Sequence, residues 1–263
     1  MDGLAQAVIV GVVEGLTEFL PISSTGHMII VGNAIGFKGE MAGVFEVAIQ
    51  LGAILSVIYL YRQKFARFFT RGGLDPAGGL SVWHVGAGMA PVMGTAFLAH
   101  GYIKNYLFSP YTVAVGLILG GALMLAAEKG GAGGALDETD QMTVKQAFLI
   151  GLFQILALWP GFSRSGSTIS GGLFLGLSRR AAAEFSFIVA VPVMFAACLY
   201  DLHKNFALLD AGNLALLAVG SAVACLTASL SIAWFVKFLN KSSLKSFAVY
   251  RFLLAAVTFW YFS

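Results

Sequence analysis

Charge is scarce in this sequence. Aspartate, glutamate, lysine and arginine make up 11% of its 263 residues, against about a quarter in an ordinary soluble domain. The net charge is only +3, and no basic stripe runs along any segment, so nothing points to nucleic acid as a partner. Cysteine is nearly absent. Cys198 and Cys225 stand alone in apolar runs without Cys-x-x-Cys spacing, and read as small buried hydrophobes rather than a redox or metal pair. The opening MDGLAQAVIV has no lysine or arginine, so it lacks the basic head of a secretory signal, and the apolar segments themselves would direct insertion. What fills the chain instead is hydrocarbon: 58% of residues are hydrophobic and the mean hydropathy is +0.84. The class these values define is an all-α polytopic membrane protein.

Six segments are long and apolar enough to cross about 30 Å of hydrocarbon as helices: residues 42–61, 83–103, 108–127, 183–201, 214–236 and 246–262. Two further apolar regions, 3–36 and 146–177, are interrupted near their middles by proline, glycine and serine. Each half is too short to span, which predicts two re-entrant helical hairpins. Broken backbone at membrane depth is tolerated only where protein or a watery cavity covers it.

The chain also repeats. At an offset of 140, GVVEGLTEFLPISSTGH (11–27) falls on GLFQILALWPGFSRSGS (151–167). Gly11 meets Gly151, Glu14 meets Gln154, Ser23 meets Ser163, Ser24 meets Arg164 and Gly26 meets Gly166; further on Gly36 meets Gly176 and Phe45 meets Phe185. The expected organisation is a first repeat over 1–127, a Gly-rich cytoplasmic linker over 128–145 whose EKGGAGGALDETDQ stretch reads as solvated, and a second repeat over 146–263. Each repeat is one hairpin followed by three spans.

The basic residues set an orientation. Arg62, Lys64, Arg67, Arg71, Lys129, Lys145, Arg179, Arg180, Lys237, Lys241 and Lys245 fall at one set of span ends, and only Lys38, Lys104 and Lys204 at the other. The positive-inside rule then puts both termini outside. Three spans per half make the repeats inverted, so the two hairpins would enter from opposite sides and meet near the membrane centre, where inverted-repeat proteins build their sites.

Both interruptions carry chemistry. Glu14 and Glu18 are one helical turn apart and share a face. Two carboxylates in a low dielectric repel unless a proton or a cation intervenes, and a hard divalent ion, Mg²⁺ or Ca²⁺, would resolve this through oxygen ligands. The PISSTGH loop after them holds Ser23, Ser24 and Thr25, which alone would read as helix-capping residues. His27, three residues after Ser24, makes the two a candidate nucleophile and proton-transfer pair. In PGFSRSGST, Gly161 and Gly166 flank Ser163, Arg164 and Ser165, with Thr168 following. A glycine-rich turn into a helix offers convergent N–H donors for an anion, and arginine adds a permanently charged fork suited to phosphate. Together the parts suit phosphoryl transfer or hydrolysis on a lipid-tailed substrate that enters from the bilayer. A carrier of phosphorylated lipid is the competing reading, because inverted repeats with broken helices also build transporters.

EGLTEFLPISSTGH and PGFSRSGST closely resemble the two signature motifs of the bacterial undecaprenyl-diphosphate phosphatases of the bacitracin-resistance type, in the right order, and the resemblance covers essentially the whole chain. It implies an enzyme of the bacterial inner (plasma) membrane. Its reaction would remove the terminal phosphate of undecaprenyl diphosphate, recycle the carrier lipid for peptidoglycan synthesis and confer bacitracin resistance. Its site would face the periplasmic or extracellular side, and it would use a divalent cation. Matched by position, the resemblance implies catalytic roles for Glu18, Ser24, His27 and Arg164, with Ser24 or His27 as nucleophile. Direct attack by water is the third alternative to Ser24 and His27. The resemblance gives metal binding to Glu14 and Glu18. Substrate binding falls to Glu14, Ser23, Thr25, Gly161, Ser163, Ser165, Gly166 and Thr168. The partners expected are the bilayer and a polyprenyl diphosphate lipid, with a homodimer as one candidate assembly.

Overall fold

The computed structural model describes residues 3–107, 109–131, 134, 136–206 and 211–263. Part of the Gly-rich stretch (132, 133 and 135) and the first residue of the span expected at 108–127 lie outside the described residues. Among those described there is no β-strand, only an isolated bridge between Leu136 and Leu177, and the chain is built of twelve α-helices. They are α1 (Gly3–Thr17), α2 (Ser24–Ala34), α3 (Glu40–Leu60), α4 (Arg62–Phe68), α5 (Arg71–Leu74), α6 (Val82–Tyr106), α7 (Pro110–Gly130), α8 (Val144–Ile155), α9 (Arg164–Phe174), α10 (Arg179–Lys204), α11 (Ala211–Leu239) and α12 (Lys245–Phe262).

Five of these, α3, α6, α7, α10 and α11, are long and apolar enough to cross a membrane. The sixth segment expected from hydropathy forms α12, whose apolar run is diluted by Lys245 and by Arg251 in its interior. Large apolar side chains such as Phe97, Leu98, Leu226, Leu230 and Trp260 point outward, as a lipid-facing surface requires.

The two interruptions fall where the sequence places them. α1 ends at Thr17 and α2 starts at Ser24; α8 with its 3₁₀ extension ends at Leu158 and α9 starts at Arg164. The helices after the breaks, α2 and α9, are each 11 residues long and begin and end at an offset of 140. Their caps match as well. Ser23 (φ 70°) and Ser163 (φ 71°) are the only non-glycine residues with positive φ among those described. Each serine hydroxyl accepts the N–H of the glycine three residues on, Gly26 or Gly166, which contributes about 1 kcal/mol at a helix start. Gly36 and Gly176 end the two helices at φ 69° and 87°. Phe37 N–H reaches back to Gly32 O, and Leu177 N–H to Gly172 O. This is the glycine-terminated closure that leaves the fewest orphan carbonyls.

The helix that leads into each break packs on a helix distant in sequence. α1 packs along α11, and α8 along α6. The aligned pair Gly11 and Gly151 mediates both approaches. A Cβ on Gly11 would lie 2.6 Å from Gly220 O, and one on Gly151 would lie 2.4 Å from Gly88 O. Small residues let helix backbones touch where lipid offers no hydrophobic driving force. α9 is enclosed by α7, α8 and α10. The main core joins Phe19 from the first break with Phe185, Phe187 and Ile188 of α10, Phe235 of α11 and Phe247 of α12.

The stretch read as a solvated linker is partly anchored. Glu128 is buried and accepts two bonds from Arg179, at 2.7 and 2.5 Å, and one from Leu244 N–H at 2.7 Å. Leu136 pairs its backbone with Gly176 and Ser178. Thr139 is fully buried beside the Lys64–Glu184 ion pair, and Arg67 meets Asp140 at 3.4 Å. Composition read these residues as solvated because it cannot register that Glu128 and Asp140 each meet a cation from another helix; Lys129, Asp137 and Glu138 are exposed, as expected. Of the two cysteines, Cys198 is buried, Cys225 is half-buried, and both are free.

Candidate active site

The two breaks lie side by side. Ser165 Oγ donates to Leu20 O across them at 2.9 Å, and this juxtaposition assembles the side chains that the sequence singled out. Glu18 continues the last turn of α1, its N–H bonded to Glu14 O at 2.9 Å. One of its carboxylate oxygens accepts Ser24 Oγ–H at 2.6 Å, and the other accepts Arg164 Nη2–H at 2.9 Å. Both side chains of the ion pair are about nine-tenths buried (12% and 10% exposed). A charge-assisted pair in such a setting is far less screened than on a surface.

Arg164 is held from several directions. Nη1 donates to Ser186 O at 3.1 Å, Nη2 lies 3.3 Å from the Met194 sulfur, and the guanidinium sits 5.3 Å over the Phe19 ring. Its Nε is buried with no partner. Glu14 is also buried, and its Oε1 has no partner either. Glu18 and Glu46 of α3 are the acidic groups whose charge bears on it.

Ser24 and His27 do not form the pair that their spacing suggested. Ser24 is bonded to Glu18. His27 points the other way: Nδ1 faces Ser23 O at 2.8 Å, which fixes the proton there, and Nε2 accepts Tyr250 Oη–H at 2.7 Å. The two rings are nearly parallel, 7° apart, with centroids at 5.6 Å. His27 and Tyr250 line a cavity of about 760 Å³ whose walls are otherwise mostly apolar, among them Leu16, Leu20, Val31, Leu230, Trp234 and Phe247. The structure thus puts carboxylate, hydroxyl and guanidinium on one side of the α2 N-terminus and the imidazole on the side of the apolar cavity.

The remaining expected binding residues divide. Ser23 and Ser163 cap their helices. Ser163 Oγ also meets Ser165 Oγ at 3.1 Å. Gly166 is buried and its N–H is taken by Ser163. Thr168 Oγ1 bonds Arg164 O at 2.9 Å and Ser186 Oγ at 2.6 Å, so it braces the arginine rather than facing open space. Gly161 takes φ 90°, and Thr25 is half-buried at the α2 N-terminus. Sequence reading missed Ser186, Met194 and Tyr250 around the site. The first two lie on α10, and nothing local marks them. Tyr250 neighbours Arg251, a charge inside an apolar segment, and that signal was available.

A model of the family described as Bacitracin resistance protein BacA matches residues 7–257. The chain belongs to this family. Membership of the BacA family carries the coarse reading of an undecaprenyl pyrophosphate phosphatase family of membrane proteins, and the match spans both breaks. The sequence leads to the expectation of a divalent cation, Mg²⁺ or Ca²⁺, at Glu14 and Glu18. Among the described residues no three His, Cys, Asp or Glu side chains converge on one point. Glu14, with its orphan oxygen, and Glu18 offer two carboxylates, which is what Mg²⁺ uses when phosphate oxygens and water fill its other positions. The donor set fits.

Proposed function

We propose that this chain hydrolyses undecaprenyl diphosphate to undecaprenyl phosphate and inorganic phosphate. It would thereby recycle the carrier lipid for cell-wall synthesis and confer bacitracin resistance. The observation that carries this reading is Glu18, which holds a serine hydroxyl on one oxygen and an arginine on the other. A carboxylate 2.6 Å from a hydroxyl is placed to take its proton. Ser24 Oγ attacks the terminal phosphorus as Glu18 accepts the proton. The bridging P–O bond breaks, and its electron pair leaves with undecaprenyl phosphate, which receives that proton. Water, deprotonated by Glu18, then attacks the phosphoserine; Ser24 regains a proton and inorganic phosphate departs. Arg164 exchanges part of its bond to Glu18 for the phosphoryl oxygens and stabilises the charge that develops on them. His27 and Tyr250 stand at the wall of the apolar cavity, which receives the start of the prenyl tail. Glu14 and Glu18 would hold Mg²⁺ or Ca²⁺, which supplies Lewis-acid stabilisation of phosphate charge when bound.

The architecture proposed is an inverted pair, 1–127 and 146–263, joined by a cytoplasmic 128–145, with six spans in the bacterial inner membrane and both termini outside. Support comes from the matching caps at an offset of 140, the packing of α1 on α11 and of α8 on α6, and the grouping of Lys64, Arg67 and Arg179 near one end of the bundle. A cysteine at Lys38 should react with an impermeant maleimide from outside and one at Arg71 only from the cytoplasm; labelling of both from one side would sink this topology. For the activity, purified protein in detergent should release phosphate from undecaprenyl or farnesyl diphosphate. Acid-stable phosphate should be trapped on Ser24 under rapid quench. Turnover that persists in Ser24→Ala would remove serine as the attacking group, and no release from any prenyl diphosphate would sink the function.

A further inference from the structure

A guanidinium buried in an apolar bundle without a carboxylate is costly and needs another reason to be there. Arg251 of α12 is fully buried, and among the described residues it has no ion pair. Its contacts are almost all with backbone carbonyls. On α7, Nε donates to Leu117 O at 3.1 Å and Nη2 to Gly116 O at 3.2 Å. In the second break, Nη2 donates to Gly161 O at 2.9 Å and Phe162 O at 2.8 Å. In the first, Nη1 donates to Pro21 O at 3.3 Å. Nη1 also approaches the Met124 sulfur at 3.9 Å.

Pro21 and Gly161 are equivalent positions at the repeat offset of 140. Each lies two residues ahead of a serine held at left-handed φ. A non-glycine residue persists there only when its surroundings over-determine it. α7 makes room for the fork: a Cβ on Gly120 would lie 2.1 Å from Arg251 Nη2.

We propose that Arg251 is a positioning residue for the candidate active site. One guanidinium ties the two breaks to each other and to α7. It fixes the distance between the turn that presents Ser24 and the turn that presents Arg164. Lysine cannot substitute, because a single ammonium cannot reach carbonyls spread over three segments. The kinetic part of this proposal rests on the phosphatase reading; the backbone part does not.

The test is Arg251→Lys in detergent, read by turnover and by amide hydrogen exchange. The expected result is a monodisperse protein whose kcat falls about 100-fold with KM within about threefold. Exchange should rise together at residues 18–27 and 161–168 while α3 and α6 stay as in the wild type. Wild-type kcat, a change confined to KM, or exchange rising evenly along the chain would overturn the proposal. Gly120→Ala crowds the same guanidinium while keeping it, and should give the same selective loss if the lysine variant does not fold. Failure of both variants to fold would assign Arg251 to the fold at large and overturn the proposal too. If even the wild type releases no phosphate, the functional reading fails, and the exchange experiment still decides the role of Arg251.

Discussion

The two broken hairpins share a backbone and differ in almost everything else. Both break after a short helix, both cap the next helix with a serine in the same left-handed conformation, and both close it with a glycine. The helix after the second break, α9, is polar yet buried along most of its length; Ser165, Ser167 and Thr168 bond to neighbouring protein groups, and Ser170 Oγ is buried without a partner. The helix after the first, α2, is apolar yet mostly half-buried: only Gly26, Met28 and Gly32 are buried, and Ala34 is exposed. Glu14 faces Gln154 in the alignment, Ser24 faces Arg164, and His27 faces Ser167. One backbone geometry thus occurs twice, at an offset of 140. Burial then decides its use. The enclosed copy becomes a rigid mount for a single cation, and the open copy keeps groups that can exchange protons with a substrate.

That contrast predicts a gradient of effects. The largest losses belong to the open hairpin. Ser24→Ala and Glu18→Gln should each lower kcat by about 10³-fold or more in a phosphate-release assay, because one removes the proposed attacking hydroxyl and the other its proposed base. Wild-type-like rates in either would show that the chemistry does not run through this pair. Next comes the mount. Arg164→Lys keeps the charge but loses the fork, and should cost about 10²-fold in kcat while the protein stays folded; full rescue by lysine would mean that only charge matters there. A milder change makes the open copy resemble the enclosed one. Glu14→Gln removes one carboxylate charge, and the Mg²⁺ concentration for half-maximal activity should rise about tenfold with kcat at saturation little changed. An unshifted Mg²⁺ titration would take Glu14 out of the cation site. The smallest effect is expected from Ser163→Gly. Glycine loses only a few tenths of a kcal/mol of capping and relieves about 1 kcal/mol of left-handed strain, so thermal unfolding should move by no more than a few degrees. Ser23→Gly should behave alike in stability, and a clear difference between the two would break the equivalence of the caps.

Much of this was legible beforehand. Glu14, Glu18, Ser24, His27 and Arg164 stood out because charge and hydroxyls are expensive in an apolar chain, and an expense at membrane depth marks use. The breaks were legible because proline and glycine interrupt helices wherever they fall. The partnership within the site was not. Spacing paired Ser24 with His27, since residues three apart share a helix face. Ser24, however, is the first residue of α2, where its side chain turns back toward the end of α1 and finds Glu18, while His27 turns toward α12. Local periodicity describes one helix and is silent about which neighbour stands beside it.

The sequence by itself therefore determined the solvent this chain lives in, the positions of both breaks, the offset of 140 between them and the inventory of candidate side chains. All of these follow from composition, from helix-breaking residues and from local hydrogen bonding, which act within a few residues. Only the tertiary structure decided that Glu18 divides itself between Ser24 and Arg164, that Tyr250 holds His27, and that Arg251 joins the two turns. Apart from Glu18 and Ser24, which are six positions apart, those contacts bring together residues between about 90 and 230 positions apart, and they depend on how helices settle when each buried donor must find an acceptor in a medium without water.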